Sequence, residues 1–123
     1  MRPLFHPPAD SITPEAVLHA LADTERAAIF AHIDGADTAE ACRAHMQQGD
    51  RVIPKSSLSQ HIRILREAGL IRSERQGVEM LNYSRLAELE APIRALATAA
   101  VDAYRWYYGK KMAASRAEAA KVA

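Results

Sequence analysis

Seven polar residues in one short stretch hold the chemistry most easily read from this chain: Lys55, Ser56, Ser57, Ser59, Gln60, Arg63 and Arg66. Wound into a helix over residues 54–68 at roughly 100° per residue, Leu58, Ile62 and Leu65 fall on one side, with His61 at their margin. Lys55, Ser56, Ser59, Gln60, Arg63 and Arg66 gather on the opposite arc, which spans roughly 140°. Hydroxyl and amide side chains pair with base edges, and lysine and arginine pair with phosphates. Glu67 is the only acid within this stretch. A helix whose outer face only meets water mixes its charges more evenly, with Glu and Lys four apart. Solvation alone is therefore the competing reading, and the composition argues against it.

The residues after this helix extend the same chemistry. Residues 70–74 and 79–83 read as two short strands about Gln76-Gly77-Val78, because glycine takes positive φ at low cost. Arg72, Arg75 and Gln76 then sit on the first strand or at the tip, within reach of a phosphate backbone or an adjacent minor groove. The alternative is an edge hairpin whose charges only discourage strand pairing. Charge distribution favours the first reading. Residues 1–50 hold 3 Lys/Arg against 8 Asp/Glu, residues 51–85 hold 7 against 3, and residues 86–123 hold 6 against 4, within a net charge of +1. Positive charge is concentrated on the helix and hairpin, the footprint of a localised nucleic-acid face.

Positioning these residues requires a scaffold, and its boundaries are locally encoded. Pro54 suits the first helical turn, Gly69 suits the left-handed position just past the end, and Leu70 can fold back on the last turn. Thr13-Pro14-Glu15 starts a helix through Leu18 and Leu21. Asp23 caps a second, with Ile29, Phe30 and Ile33 on its inner side, ending near Asp34-Gly35. Asp37 with Glu40 makes a capping-box-like start for a third, over residues 38–46, and residues 47–53 form a loop. A last helix over residues 89–108 places Leu89, Ile93, Leu96, Ala97, Ala100, Val101, Tyr104 and Tyr108 at spacings of three and four. Pro92 is tolerable only in its first turn, so the helix proper begins near Glu90 or Ala91.

The run LSQHIRILREAGLIRSERQG followed by LNYSRL resembles the ArsR-type (ArsR/SmtB-like) winged helix-turn-helix of bacterial transcriptional regulators. Upstream, LHALADTERAAIF is similar to that family's opening helices, so the likeness covers roughly residues 14–108. The resemblance implies a mainly α fold with a small β-hairpin, a major-groove helix at 54–68, a wing at 70–84, and terminal helices that build a homodimer. Residues 13–108 would form the DNA-binding and dimerisation domain, residues 1–12 a flexible arm, and residues 109–123 a flexible or helical tail. Dimer contacts are expected from Leu18, Leu21, Ile93, Leu96, Ala97, Ala100, Val101 and Tyr104. A small chain has limited interior of its own, and an alanine-rich stripe lets a second helix approach closely; packing within one protomer is the competing explanation.

Other chemistries are poorly supported. Thiolate metal sites need two or three cysteines together, and this chain has only Cys42. No histidine follows His61, and His45 with Cys42 makes only two ligands, so neither a metal nor another cofactor is expected. His61 reads as a packed or hydrogen-bonded residue rather than a ligand. Cys42 reads as a small apolar residue, its alternative being a redox switch with Arg43 as the adjacent cation. Tyr104, Trp106, Tyr107 and Tyr108 suit a helix-end anchor or interface, or else a cleft for an unidentified small-molecule effector. No nucleophile–base motif or Gly-rich phosphate loop points to an enzyme. With 49% hydrophobic and 25% charged residues and no long apolar run, a cytoplasmic protein without membrane association is expected. Expected partners are double-stranded DNA carrying an inverted repeat and a second copy of the chain. A winged-helix module that binds protein or RNA without reading DNA sequence is the alternative.

Overall fold

The computed structural model describes residues 3–36, 40–41, 47–48 and 51–122. Two helices open the fold, α1 (Pro14–Leu21) and α2 (Thr24–Gly35), each begun by the expected cap. Thr13 Oγ1 accepts from the Ala16 N–H at 3.2 Å, and Asp23 Oδ1 accepts from the Arg26 N–H at 2.9 Å. These caps satisfy donors that the first helical turn leaves over. Three two-residue strands follow, β1 (Glu40–Ala41), β2 (Gln47–Gln48) and β3 (Arg51–Val52), then helix α3 (Lys55–Glu67). Strands β4 (Ile71–Gln76) and β5 (Glu79–Ser84) form a hairpin, and the long α4 (Ala91–Val122) closes the chain.

The sheet order is β1-β5-β4, all antiparallel, while β2 and β3 pair separately. The helix expected over 38–46 gives way at its start: Glu40 and Ala41 pair with Asn82 and Leu81. Strand pairing satisfies those backbone groups through a distant partner, which a local capping pattern cannot reveal. Residues 37–39 and 42–46, with Cys42 and His45, lie outside the described residues. The expected loop over 47–53 contains the β2–β3 pairing.

One core holds the layers together. Val17 and Leu21 from α1, Ile29, Phe30 and Ile33 from α2, Leu58, Ile62 and Leu65 from α3, and Leu70, Ile71, Ala97 and Val101 are all buried in it. Helix α4 begins at Ala91, which puts Pro92 in its first turn, and it runs on through the tail to Val122. Arg105 donates to the Ala31 carbonyl at 3.1 Å, and Tyr108 shares a hydrogen bond of 3.3 Å with Thr24, tying α4 to α2.

Residues 3–12, expected as a flexible arm, make specific contacts instead. The Arg85 guanidinium donates to the Pro7 carbonyl at 2.8 Å, the Ser73 N–H donates to His6 Nε2 at 3.0 Å, and Ile12 is buried. These contacts come from residues more than sixty positions away, which no local pattern in the segment reveals.

Candidate nucleic-acid interface

Helix α3 stands on the core by Leu58, Ile62 and Leu65 and presents Lys55, Ser56, Ser59, Gln60 and Arg63 to solvent. Its first turn has no acidic residue and no side-chain cap, so the positive end of the helix dipole adds to Lys55 there. Gly69, at φ +90°, ends the helix. The Gly69 N–H reaches the Arg66 carbonyl at 3.1 Å and the Leu70 N–H reaches the Leu65 carbonyl at 3.0 Å, the paired bonds of a Schellman cap. The chain therefore turns straight from α3 into β4, which fixes the angle between helix and hairpin.

In the hairpin, Gln76 pairs with Glu79, leaving Gly77 and Val78 as a two-residue loop. Gly77 alone of the two has positive φ, at +62°, as a type II′ turn requires. Between the hairpin and α3 lies an open groove of about 710 Å³, lined by Lys55, Ser56, Ser59, Gln60, Ile62, Arg63 and Arg66 on the helix side and Val78, Glu79 and Met80 on the hairpin side. Six of the seven polar residues picked from the helix meet here. Ser57 is half-buried and does not line the groove. Sequence reasoning overlooked Val78 and Met80, although the loop position of Val78 was readable from the glycine before it.

Two arginines differ from their expected roles. Arg66 is half-buried, and its Nη1 donates to Ser73 Oγ at 3.4 Å and to Met80 Sδ at 3.7 Å, so it braces the helix against the hairpin. Arg72 pairs with Glu88 at 3.0 Å. Because side chains alternate along a strand, Arg72 faces away from the side shared by Ser73, Arg75 and the groove-lining Met80. Arg75 and Gln76 are exposed beside the loop.

A polar network fixes α3 from behind. Arg26, buried in α2, donates from Nε to the Ala20 carbonyl at 2.6 Å and from Nη2 to the His19 carbonyl at 3.1 Å, closing the end of α1. Its Nη1 lies 3.3 Å from His61 Nδ1, and His61 Nε2 lies 3.1 Å from Glu25 Oε1. Arginine only donates, so Nδ1 accepts and the ring proton sits on Nε2, facing Glu25. His61 is thus a hydrogen-bonded anchor of the helix.

The residues expected to pair two protomers divide. Leu21 at 3%, Ala97 at 0% and Val101 at 2% exposure are used inside the protomer, because α4 packs on α1 and α2 with that stripe inward. Leu18 is 53% exposed, and Ile93, Leu96, Ala100 and Tyr104 are half-buried. Leu96 and Ala100 sit roughly 60–100° around the helix from Ala97, on a flank continued by exposed Ala103 and Tyr107. Tyr107 meets Tyr108 edge-on at 4.9 Å, and Lys110 and Lys111 cover the Trp106 and Tyr107 rings. No helix among the described residues is long and apolar enough to cross a membrane.

Comparison with known proteins agrees with this geometry. No curated protein matches the chain. The family model described as a helix-turn-helix domain matches residues 21–74, which run from the end of α1 through α3 into β4. The fold is thus that of a winged helix-turn-helix, the matched segment being followed by a wing-like hairpin.

Proposed function

We propose that this protein is a sequence-specific regulator of transcription of the ArsR type, a homodimeric repressor that lays α3 in the DNA major groove and the β4–β5 hairpin against the flanking backbone. The observation that carries the reading is the convergence of Lys55, Ser56, Ser59, Gln60 and Arg63 on one open groove beside the hairpin loop. A helix about 10–12 Å across matches a major groove about 12 Å wide. Ser56, Ser59 and Gln60 specify bases, while Lys55, Arg63 and Arg75 hold phosphates. The flank of α4 carrying Leu96 and Ala100, together with Leu18, supplies the surface for a second copy. Two α3 helices related by a twofold axis then read an inverted repeat in successive major grooves. Occupying a promoter in this way blocks it, which makes repression the expected sign.

Selection of bound duplexes from a random-sequence pool, followed by footprinting, tests the proposal. Two half-sites about one helical turn apart are expected. Gln60→Ala relaxes preference at one base pair by about 1–3 kcal/mol, whereas Arg75→Ala weakens all duplexes and lowers the salt slope by about one. Enrichment of no sequence, or indifference of binding to both substitutions, would overturn it.

A further inference from the structure

Among the described residues no strand pairs with the outer edge of the hairpin, and the segment before α1 covers part of that edge. In the order β1-β5-β4, strand β4 is outermost. The pair closing a two-residue hairpin, Gln76 with Glu79, exchanges hydrogen bonds, and such pairs alternate along an antiparallel ladder. Ser73 therefore belongs to a non-bonded pair, with its N–H directed away from β5. The His6 ring nitrogen accepts that N–H at 3.0 Å. On the inner face of the same residue, Ser73 Oγ donates to Asn82 Oδ1 at 2.8 Å and receives Arg66 Nη1 at 3.4 Å. The segment before α1 is pinned twice more, by Arg85 on the Pro7 carbonyl at 2.8 Å and by Ile12 packed over Gly69. Its three anchors thus fall on the helix cap, the base of the hairpin and the outer edge of β4.

We infer that residues 3–12 form a strut that sets the hairpin against α3, with His6 as the positioning residue for the nucleic-acid interface. The inference rests on the function proposed above. The His6 nitrogen accepts only while it carries no proton, because a doubly protonated imidazole has no lone pair to offer. The charged groups around it are Arg72 from β4, Arg66 from α3 and Arg85 after β5, with Glu88 paired to both Arg72 and Arg85. Burial first, and then these guanidiniums, hold the His6 pKa below its usual 6.5. A depressed histidine pKa stabilises the docked strut fully above the unfolded value, and the contribution is lost as pH falls through the folded value. Acid therefore releases the strut.

The experiment uses the full chain and a duplex recovered by the selection above. Amide exchange at Ser73 and duplex affinity at fixed salt are followed from about pH 8 to about pH 5.5, spanning the ordinary histidine range. In the native chain, Ser73 protection and affinity fall together on acidification, by about three- to tenfold, the weight of one net hydrogen bond. His6→Gln, whose side-chain carbonyl accepts at any pH in this range, keeps both and flattens their pH dependence. His6→Ala loses both at every pH. Unchanged Ser73 protection in His6→Ala overturns the strut, and lost protection with unchanged affinity overturns its positioning role. If the native chain selects no duplex, the proposed function fails while the exchange measurement still decides whether the strut exists.

Discussion

Gly69 joins α3 to the hairpin, and replacing it with alanine separates two physical costs. The first is conformational: at φ +90° an L residue with a Cβ is strained by about 1–2 kcal/mol. The second is steric, since a Cβ built there collides with the side chain of Ile12. Forcing added atoms into a packed site costs about 1–3 kcal/mol. Reduced freedom of the unfolded chain returns about 0.4–1 kcal/mol. Gly69→Ala should therefore destabilise by about 2–4 kcal/mol, a large share of the roughly 5–15 kcal/mol typical of a domain. The assay is urea unfolding at fixed protein concentration, with the same substitution repeated in an Ile12→Ala background. Removing the Ile12 side chain opens the space, so Gly69→Ala should there cost only the backbone share, about 1 kcal/mol. Equal costs in the two backgrounds would refute the collision, and a cost under about 0.5 kcal/mol in the native background would refute both contributions.

Two other substitutions probe the supports of α3. Arg26→Met removes the donors to the His19 and Ala20 carbonyls and to His61. Bonds of a charged donor weigh about 1.5–3 kcal/mol, offset in part by relief of the buried charge, so a loss of about 2–3 kcal/mol in urea unfolding is expected. Asp23→Ala removes the cap of α2 and should cost about 1 kcal/mol at neutral pH. The Arg26 N–H bonded to its carboxylate is the main reason that the Asp23 pKa lies below the usual 3.8. The cap's contribution is therefore complete above that value and lost as pH falls through the still lower folded pKa. Unfolding curves of native and Asp23→Ala chains should accordingly converge in acid, and a gap that persists there would show that the carboxylate charge is not what stabilises the helix.

Much of the site was legible because its determinants lie within a few residues of each other. The 3.6-residue period separated Leu58, Ile62 and Leu65 from Ser59, Gln60 and Arg63, and the glycines at 69 and 77 marked a helix stop and a hairpin loop that both have positive φ. Asp23 and Thr13 announced their helices by side-chain type alone. Such features are local, and propensity, capping and turn chemistry all favour the same answer.

What could not be read depends on partners far away in the chain. The period of α4 identified its apolar stripe but not what the stripe meets. Ala97 and Val101 turn inward to α1 and α2, leaving Leu96 and Ala100 on the flank. A periodic pattern specifies that a face is buried, whereas the identity of the covering surface is a property of the whole fold. The same holds for charge. Arg66 and Arg72 sit in a basic stretch that sequence treats as uniform, yet Ser73 and Met80 engage one and Glu88 the other. An arginine already held by the protein keeps its field but loses its reach. The positive potential of the interface therefore arises from more side chains than can touch a ligand. Under the proposed function the two effects of substitution separate: changing Arg72 would alter only the attraction felt at a distance, while changing Arg63 would also remove a contact.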